Sequence, residues 1–158
     1  MTCTIALIFS IVLIIIDQLI KKWVILSIKP LESIHVIEGL LDFTYVENFG
    51  AAYGIFKDKK WFLVIITLIL LIAIIYLLIS KRINNKFMIF SSSLIIGGGI
   101  GNLIDRVLYG YVVDFIDIGP LFSFPVFNFA DSCIVVGTAL FVIYLMFFDD
   151  KTKKKEIK

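Results

Sequence analysis

Residues 61–79 read WFLVIITLILLIAIIYLLI, nineteen consecutive positions without a charge. A helix rises 1.5 Å per residue and needs roughly 20 mostly apolar residues to cross the hydrocarbon core of a bilayer. This run therefore constrains the chain to a membrane fold. Composition agrees, since 60% hydrophobic and 18% charged residues lie outside the range of a soluble globular domain. Three further stretches of the same kind lie near 4–26, 87–108 and 130–148. With 158 residues in all, the expectation is a single membrane domain without an appended soluble module.

The stretch near 87–108, FMIFSSSLIIGGGIGNLIDRVL, differs from the others by carrying Ser91 to Ser93, Gly97 to Gly99 and Gly101. Small residues let helices approach closely, so this helix is expected at the centre of the bundle. The apolar run from Ile5 has no preceding basic residue and is interrupted by Asp17, Gln18 and Lys21, so it reads as a retained helix and not a cleaved leader.

Lysine and arginine concentrate in the loop at about 80–86 and the tail at 149–158, which predicts that both lie on the cytoplasmic side, together with both termini. The segments at about 27–60 and 109–129 then face outward. They read as strands and not as helices. Residues 41–47 alternate after Gly39, and residues 111–118 alternate after Gly110 and end at Gly119-Pro120. The fold class expected is an all-α bundle of four transmembrane helices with a small sheet on its outer surface.

Ionisable residues inside a span are costly and mark functional interiors. Counted from the inner helix ends, Asp17 lies roughly 18 Å up, Lys21 roughly 24 Å, Asn102 roughly 22 Å, and Asp105 and Arg106 roughly 27 to 29 Å. Asp131 opens the fourth helix, and Asp114 follows soon after the third. All of these belong to the outer leaflet or its surface. Asp17 and Lys21 are spaced i, i+4, which places them on one helix face as an ion pair. Asn48, Asn102 and Asn128 reach the same level with amides that both donate and accept.

Two carboxylates held together cannot both ionise easily, so one keeps a proton near neutrality and the pair can serve as base and acid at once. Other designs fit less well. The lone histidine, His35, lies in the outer segment, far from Ser91 to Ser93, which excludes a Ser-His system. Cys3 and Cys133 supply neither a disulfide framework nor a zinc pattern, and no metal or cofactor is expected. The run GGGIGN lacks the lysine and the strand of a phosphate loop. A net charge of +2 without a basic stripe gives no reason to expect nucleic acid. Alternation sets Asp114 and Asp117 on opposite strand faces without choosing between them. A small proton or cation transporter and a peptide-binding membrane chaperone stand as rival classes.

Four segments together resemble the bacterial lipoprotein signal peptidases, also called signal peptidase II. Asp17-Gln-Leu-Ile-Lys21 resembles that family's DQxxK, and Asn48-Phe-Gly-Ala-Ala-Tyr-Gly54 its NxGAAxx. Residues 101–106 (GNLIDR) with 112–117 (VVDFID) resemble its third block, and residues 124–132 (FPVFNFADS) its fourth. The resemblance implies an aspartic endopeptidase that removes the signal peptide of a prolipoprotein on the amino side of a diacylglyceryl-modified cysteine. It selects Asp114 and Asp131 as the catalytic pair. It further implies that Asp17, Lys21, Asn48, Gly50, Asn102, Asp105, Arg106, Asn128 and Ala130 bind substrate or support the site, with residues 50–56 as a cover. A single bundle of this size suggests a monomer, and the resemblance implies contact with membrane lipid in a bacterial cytoplasmic membrane, with the site toward the outer face. Tyr53, where the family commonly has Phe or Trp, and the acidic Glu47 before Asn48 are its departures.

Overall fold

The computed structural model describes residues 2–148; the tail expected at 149–158 lies outside the described residues. Four helices are long and apolar enough to span a membrane: α1 (Cys3–Ser27), α2 (Lys60–Ile79), α3 (Lys86–Leu108) and α5 (Phe129–Phe147). A short helix, α4 (Gly119–Phe122), precedes α5. Strands β1 (Ser33–Ile37), β2 (Leu41–Asn48) and β3 (Val112–Asp117) form one antiparallel sheet in the order β1-β2-β3. The expected architecture of four apolar helices and a small sheet is thus present.

Local chemistry sets the helix ends. Thr2 accepts from the Ile5 amide at the start of α1, and Asn85 accepts from the Phe87 amide at the start of α3. Each satisfies a backbone donor that has no partner inside its helix. α1 stops at Ile28, two residues before Pro30, and a single 3-10 turn at Lys29–Leu31 redirects the chain into the sheet.

α3 occupies the centre, with twelve buried residues, including Ser91 to Ser93, Gly97 to Gly99, Gly101, Asn102 and Asp105. The glycines are there for close packing. A Cβ on Gly101 would lie 2.6 Å from an Asp17 carboxylate oxygen, and one on Gly98 would strike the carbonyl oxygen of Ala130. Ser10 adds a polar tie by donating to the Ser93 carbonyl at 3.0 Å. α2 packs through Leu71 and Leu78 against Ile89 and Ile96 of α3 and leaves most of its other side chains outward.

Two features of the segments joining the spans depart from the sequence reading, which saw strands alone there. α4 and a 3-10 turn at Ala52–Gly54 are helical. β1 is a third strand, paired to β2 through Ser33↔Thr44 and His35↔Asp42. The sheet packs on the end of α1 through Val24, Ile28, Val113 and Phe115. Beyond β3 the chain turns back so that Phe127 bridges Ile116, its carbonyl accepting from the Phe115 and Ile116 amides at 3.0 and 2.7 Å. That return lays the start of α5 beside β3.

The close approach of α3 to α5 yields a differential test. Gly98→Ala forces a methyl against a backbone carbonyl and is expected to cost about 1–3 kcal/mol. Gly99→Ala meets only the mobile tip of Leu71 at 2.9 Å and should cost far less. Thermal unfolding of the two variants in detergent checks the order.

Candidate active site

The site is assembled where β3, α3 and α5 meet. β3 carries Asp114, which is 1% exposed, and Asn48 stands on the neighbouring strand in a pairing that sets Val46 opposite Asp114. Asn48 Nδ2 donates to Asp114 Oδ2 at 2.8 Å, and Asn128 Nδ2 donates to Asp114 Oδ1 at 2.6 Å. Asp131 lies in the first turn of α5. Its backbone amide donates to Asn128 Oδ1 at 2.9 Å, while its Oδ2 accepts from the Asn128 amide at 3.2 Å. This reciprocal pair is a capping box, so the interaction that starts the helix also orients the acid. Asn102 Nδ2 donates to Asp131 Oδ1 at 2.7 Å.

Asn128 therefore bonds both acids and is itself fully buried. Its amide also donates to Asn102 Oδ1 at 3.1 Å, which joins three asparagines and two aspartates into one network. Beneath it lies a buried cation. Lys21 Nζ sits 3.0 Å from Asp17 Oδ2, Asp105 Oδ2 and Asn102 Oδ1 alike. The predicted i, i+4 pair is present, with Asp105 as a second counter-ion. Asp17 Oδ1 accepts from the Ala130 amide at 3.2 Å, and Asp105 Oδ2 accepts from the Val113 amide at 3.0 Å.

Ala130 thus enters the site through its backbone. Gln18 was absent from the residues expected at the site, yet its amide reaches Asp17, Asp105 and the Gly101 carbonyl at 3.0 to 3.3 Å. Its one signal was its place between Asp17 and Lys21.

Arg106, on α3, and Gly50 tie down the segment 50–56, the expected cover. Arg106 Nη2 donates to the Gly50 carbonyl at 2.9 Å, and the Gly50 amide donates to Asn48 Oδ1 at 2.9 Å. A Cβ at Gly50 would lie 2.8 Å from the Ile55 carbonyl oxygen, so the turn requires glycine there. Tyr53, Phe56 and Asp58 all adopt left-handed backbone conformations, an uncommon concentration of strain in non-glycine residues. The Tyr53 ring meets Phe124 edge-on at 6.3 Å, which brings the cover against the far wall. Below it is a cleft of about 1170 Å³, bounded by Asn48, Asn102, Asp114 and Asp131 at its head and by Thr67, Gly99 and Ile134 deeper in the bundle. Asp117 is engaged elsewhere, accepting from Thr44 Oγ1 at 3.1 Å and the Gly119 amide at 2.8 Å.

Burial, and then the nearby charge of Asp131, push the Asp114 carboxyl up to about 7, against the opposing hydrogen bonds of Asn48 and Asn128. The folded chain holds this proton to higher pH than the unfolded chain does. Stability should therefore fall as pH rises from 3.8 through about 7 and level off above. The measurements are unfolding midpoints across that range and an infrared titration of the protonated carboxyl band. Asp114→Asn is expected to make the first shallower and to remove the component of the second that titrates near 7.

Comparison with known proteins bears on the family and the fold. The family model for signal peptidase (SPase) II matches residues 9–147. The lipoprotein signal peptidase of Clostridium tetani is 42% identical over 144 residues, 90% of this chain and 92% of that protein. That of Clostridium acetobutylicum is 44% identical over 144 residues, covering 90% and 94%. A solved bacterial membrane enzyme, determined by the in meso method at 2.3 Å resolution, superposes with a TM-score of 0.84 at 40% identity over 90% of this chain and 88% of its own. Four spanning helices, a paired-aspartate cleft and matches that run nearly end to end converge on one conclusion: the chain belongs to the signal peptidase II family and is an aspartic-type membrane peptidase.

Proposed function

We propose that this chain removes signal peptides from lipoproteins, cutting on the amino side of a lipid-modified cysteine with water activated by Asp114 and Asp131. The single observation that carries the mechanism is Asn128, whose side-chain amide donates to Asp114 and whose backbone and side chain clasp Asp131. It holds two acids at the head of one cleft.

Asp114 is the more buried acid and holds its proton near neutrality, which suits it to donate a hydrogen bond to the scissile carbonyl. Asp131 then takes the proton of the attacking water. As water adds to the carbonyl carbon, Asp114 passes its proton to the carbonyl oxygen and Asp131 holds the one taken from water, which gives the tetrahedral diol. When the C–N bond breaks, Asp131 gives its proton to the leaving amine and Asp114 recovers one from a diol hydroxyl, so that both acids return to their starting states. The asparagines keep both carboxyls in register, and Lys21, through the Asn102 carbonyl oxygen, fixes which way the Asn102 amide points.

The cleft supports the substrate class. Its head is polar, and it deepens between α2, α3 and α5 along Leu63, Gly99, Ile134 and Val136, a wall suited to the apolar part of a membrane-anchored substrate. Lys81, Arg82 and Lys86 lie at the opposite end of the bundle from the sheet, which supports cytoplasmic termini and an outward-facing site. We read the whole chain as one membrane domain acting as a monomer, since every residue of the network comes from a single copy.

Incubation of purified protein with a diacylglyceryl prolipoprotein, followed as a size shift, tests this reading. Asp114→Asn and Asp131→Asn should each reduce turnover by at least about 10²- to 10⁴-fold. Asp117→Asn should retain most activity, because Asp117 bonds Thr44 and Gly119 instead. Near wild-type cleavage by either of the first two would refute the dyad, and an equal loss in the third would refute the choice of acid.

A further inference from the structure

The segment that joins the cover to α2 reads Ile55-Phe-Lys-Asp-Lys-Lys-Trp-Phe62, and the peptidase reading leaves it without a role. Most of its side chains are exposed. Ile55, Phe56, Trp61 and Phe62 are each about half exposed or more, and Lys57, Asp58 and Lys59 are exposed. The Phe56 and Phe62 rings pack at 4.9 Å, so the loop and the first turn of α2 form one unit. Lys60 Nζ lies over the Trp61 ring at 5.2 Å and donates to the Val107 carbonyl at 3.4 Å. Among the described residues, none of these three lysines has a salt bridge. Three cations stand against the one anion of Asp58.

Position decides what such a patch meets. Directly after it, α2 becomes a charge-free apolar helix whose Ile65, Leu68, Ile69 and Ile72 are exposed, as expected of a surface against acyl chains. Trp61 in the first turn is then at the level where aromatic rings sit between hydrocarbon and headgroups. Lysines at that level attract negative lipid phosphates, and alternating apolar rings suit a lipid surface better than an extended acidic peptide.

We propose that Lys57, Lys59 and Lys60, framed by Phe56, Trp61 and Phe62, bind the phosphodiester headgroups of anionic phospholipids and so moor the cover of the cleft to the membrane surface. The cover is then held at two points. Arg106 grips the Gly50 carbonyl at one end, and the lipid holds the other, with Lys57 on the wall of the cleft between them.

The proposal is tested without reference to peptidase activity. Trp23→Phe leaves Trp61 as the lone tryptophan of the full chain. This protein is placed in phosphatidylcholine nanodiscs containing a fixed minor fraction of phosphatidylglycerol, with brominated acyl chains carried either by the phosphatidylglycerol or by an equal amount of phosphatidylcholine. Quenching of Trp61 by the brominated anionic lipid should exceed that by the brominated zwitterionic lipid about threefold at low salt, and the difference should shrink as salt rises. In Lys57→Gln/Lys59→Gln/Lys60→Gln the two should quench alike, with an unchanged unfolding midpoint confirming the fold. Equal quenching in the unsubstituted loop overturns the proposal. So does an anionic preference that survives loss of the three lysines, or one that is indifferent to salt.

Discussion

One buried ammonium group organises this protein. Lys21 Nζ is almost wholly removed from solvent and would be prohibitively costly without its partners. Asp17 and Asp105 neutralise it, and Asn102 supplies a third acceptor. Each carboxylate also holds one backbone amide, Asp17 that of Ala130 and Asp105 that of Val113. The cation thus fixes, through two anions, where α5 begins and where β3 departs from α3. Those are the elements that carry Asp131 and Asp114. The glycine at 101 makes the arrangement possible, because a side chain there would occupy the space of the Asp17 carboxylate.

Above that cation, structural and chemical roles fall to the same bonds. The capping box of α5 is an ordinary device for starting a helix, yet here its acid is one of the two that the proposed mechanism uses. Asn128 is a helix cap, a donor to Asp114 and a donor to Asn102. The site is therefore tightly bonded where charge must be placed, while left-handed backbone gathers in and just after its cover, at Tyr53, Phe56 and Asp58.

Much of the fold was legible because a membrane reduces the choices: long apolar runs must be helices, and small residues on one of them place it centrally. β1 was missed because its residues are nearly all exposed, so no alternation marks it. The short helical turns at Ala52–Gly54 and Gly119–Phe122 are too brief to show a period. At the site, membrane depth brought Asp17, Lys21, Asn102 and Asp105 to one level, but depth cannot say which touch. The separation of Arg106 from Asp105, neighbours in sequence that serve the cover and the cation respectively, needed coordinates. The choice of Asp114 over Asp117 needed the family resemblance, since alternation is symmetric between faces. Asn128's contact with both acids depends on the return of Phe127 to Ile116, a long-range pairing without a local pattern.

That return has a consequence for how such a chain can vary. Because Phe127 is bonded to Phe115 and Ile116, residues 118–126 form a loop closed at its base, and the path from one acid to the other bypasses its contents. Lengthening a closed loop adds only slowly to its entropic cost. Residues gained or lost there would reshape the wall that Phe124 presents to the cleft while leaving the two carboxyls where they are. The fold thus keeps the wall of the cleft apart from the two carboxyls, so that a change in the one leaves the other in place.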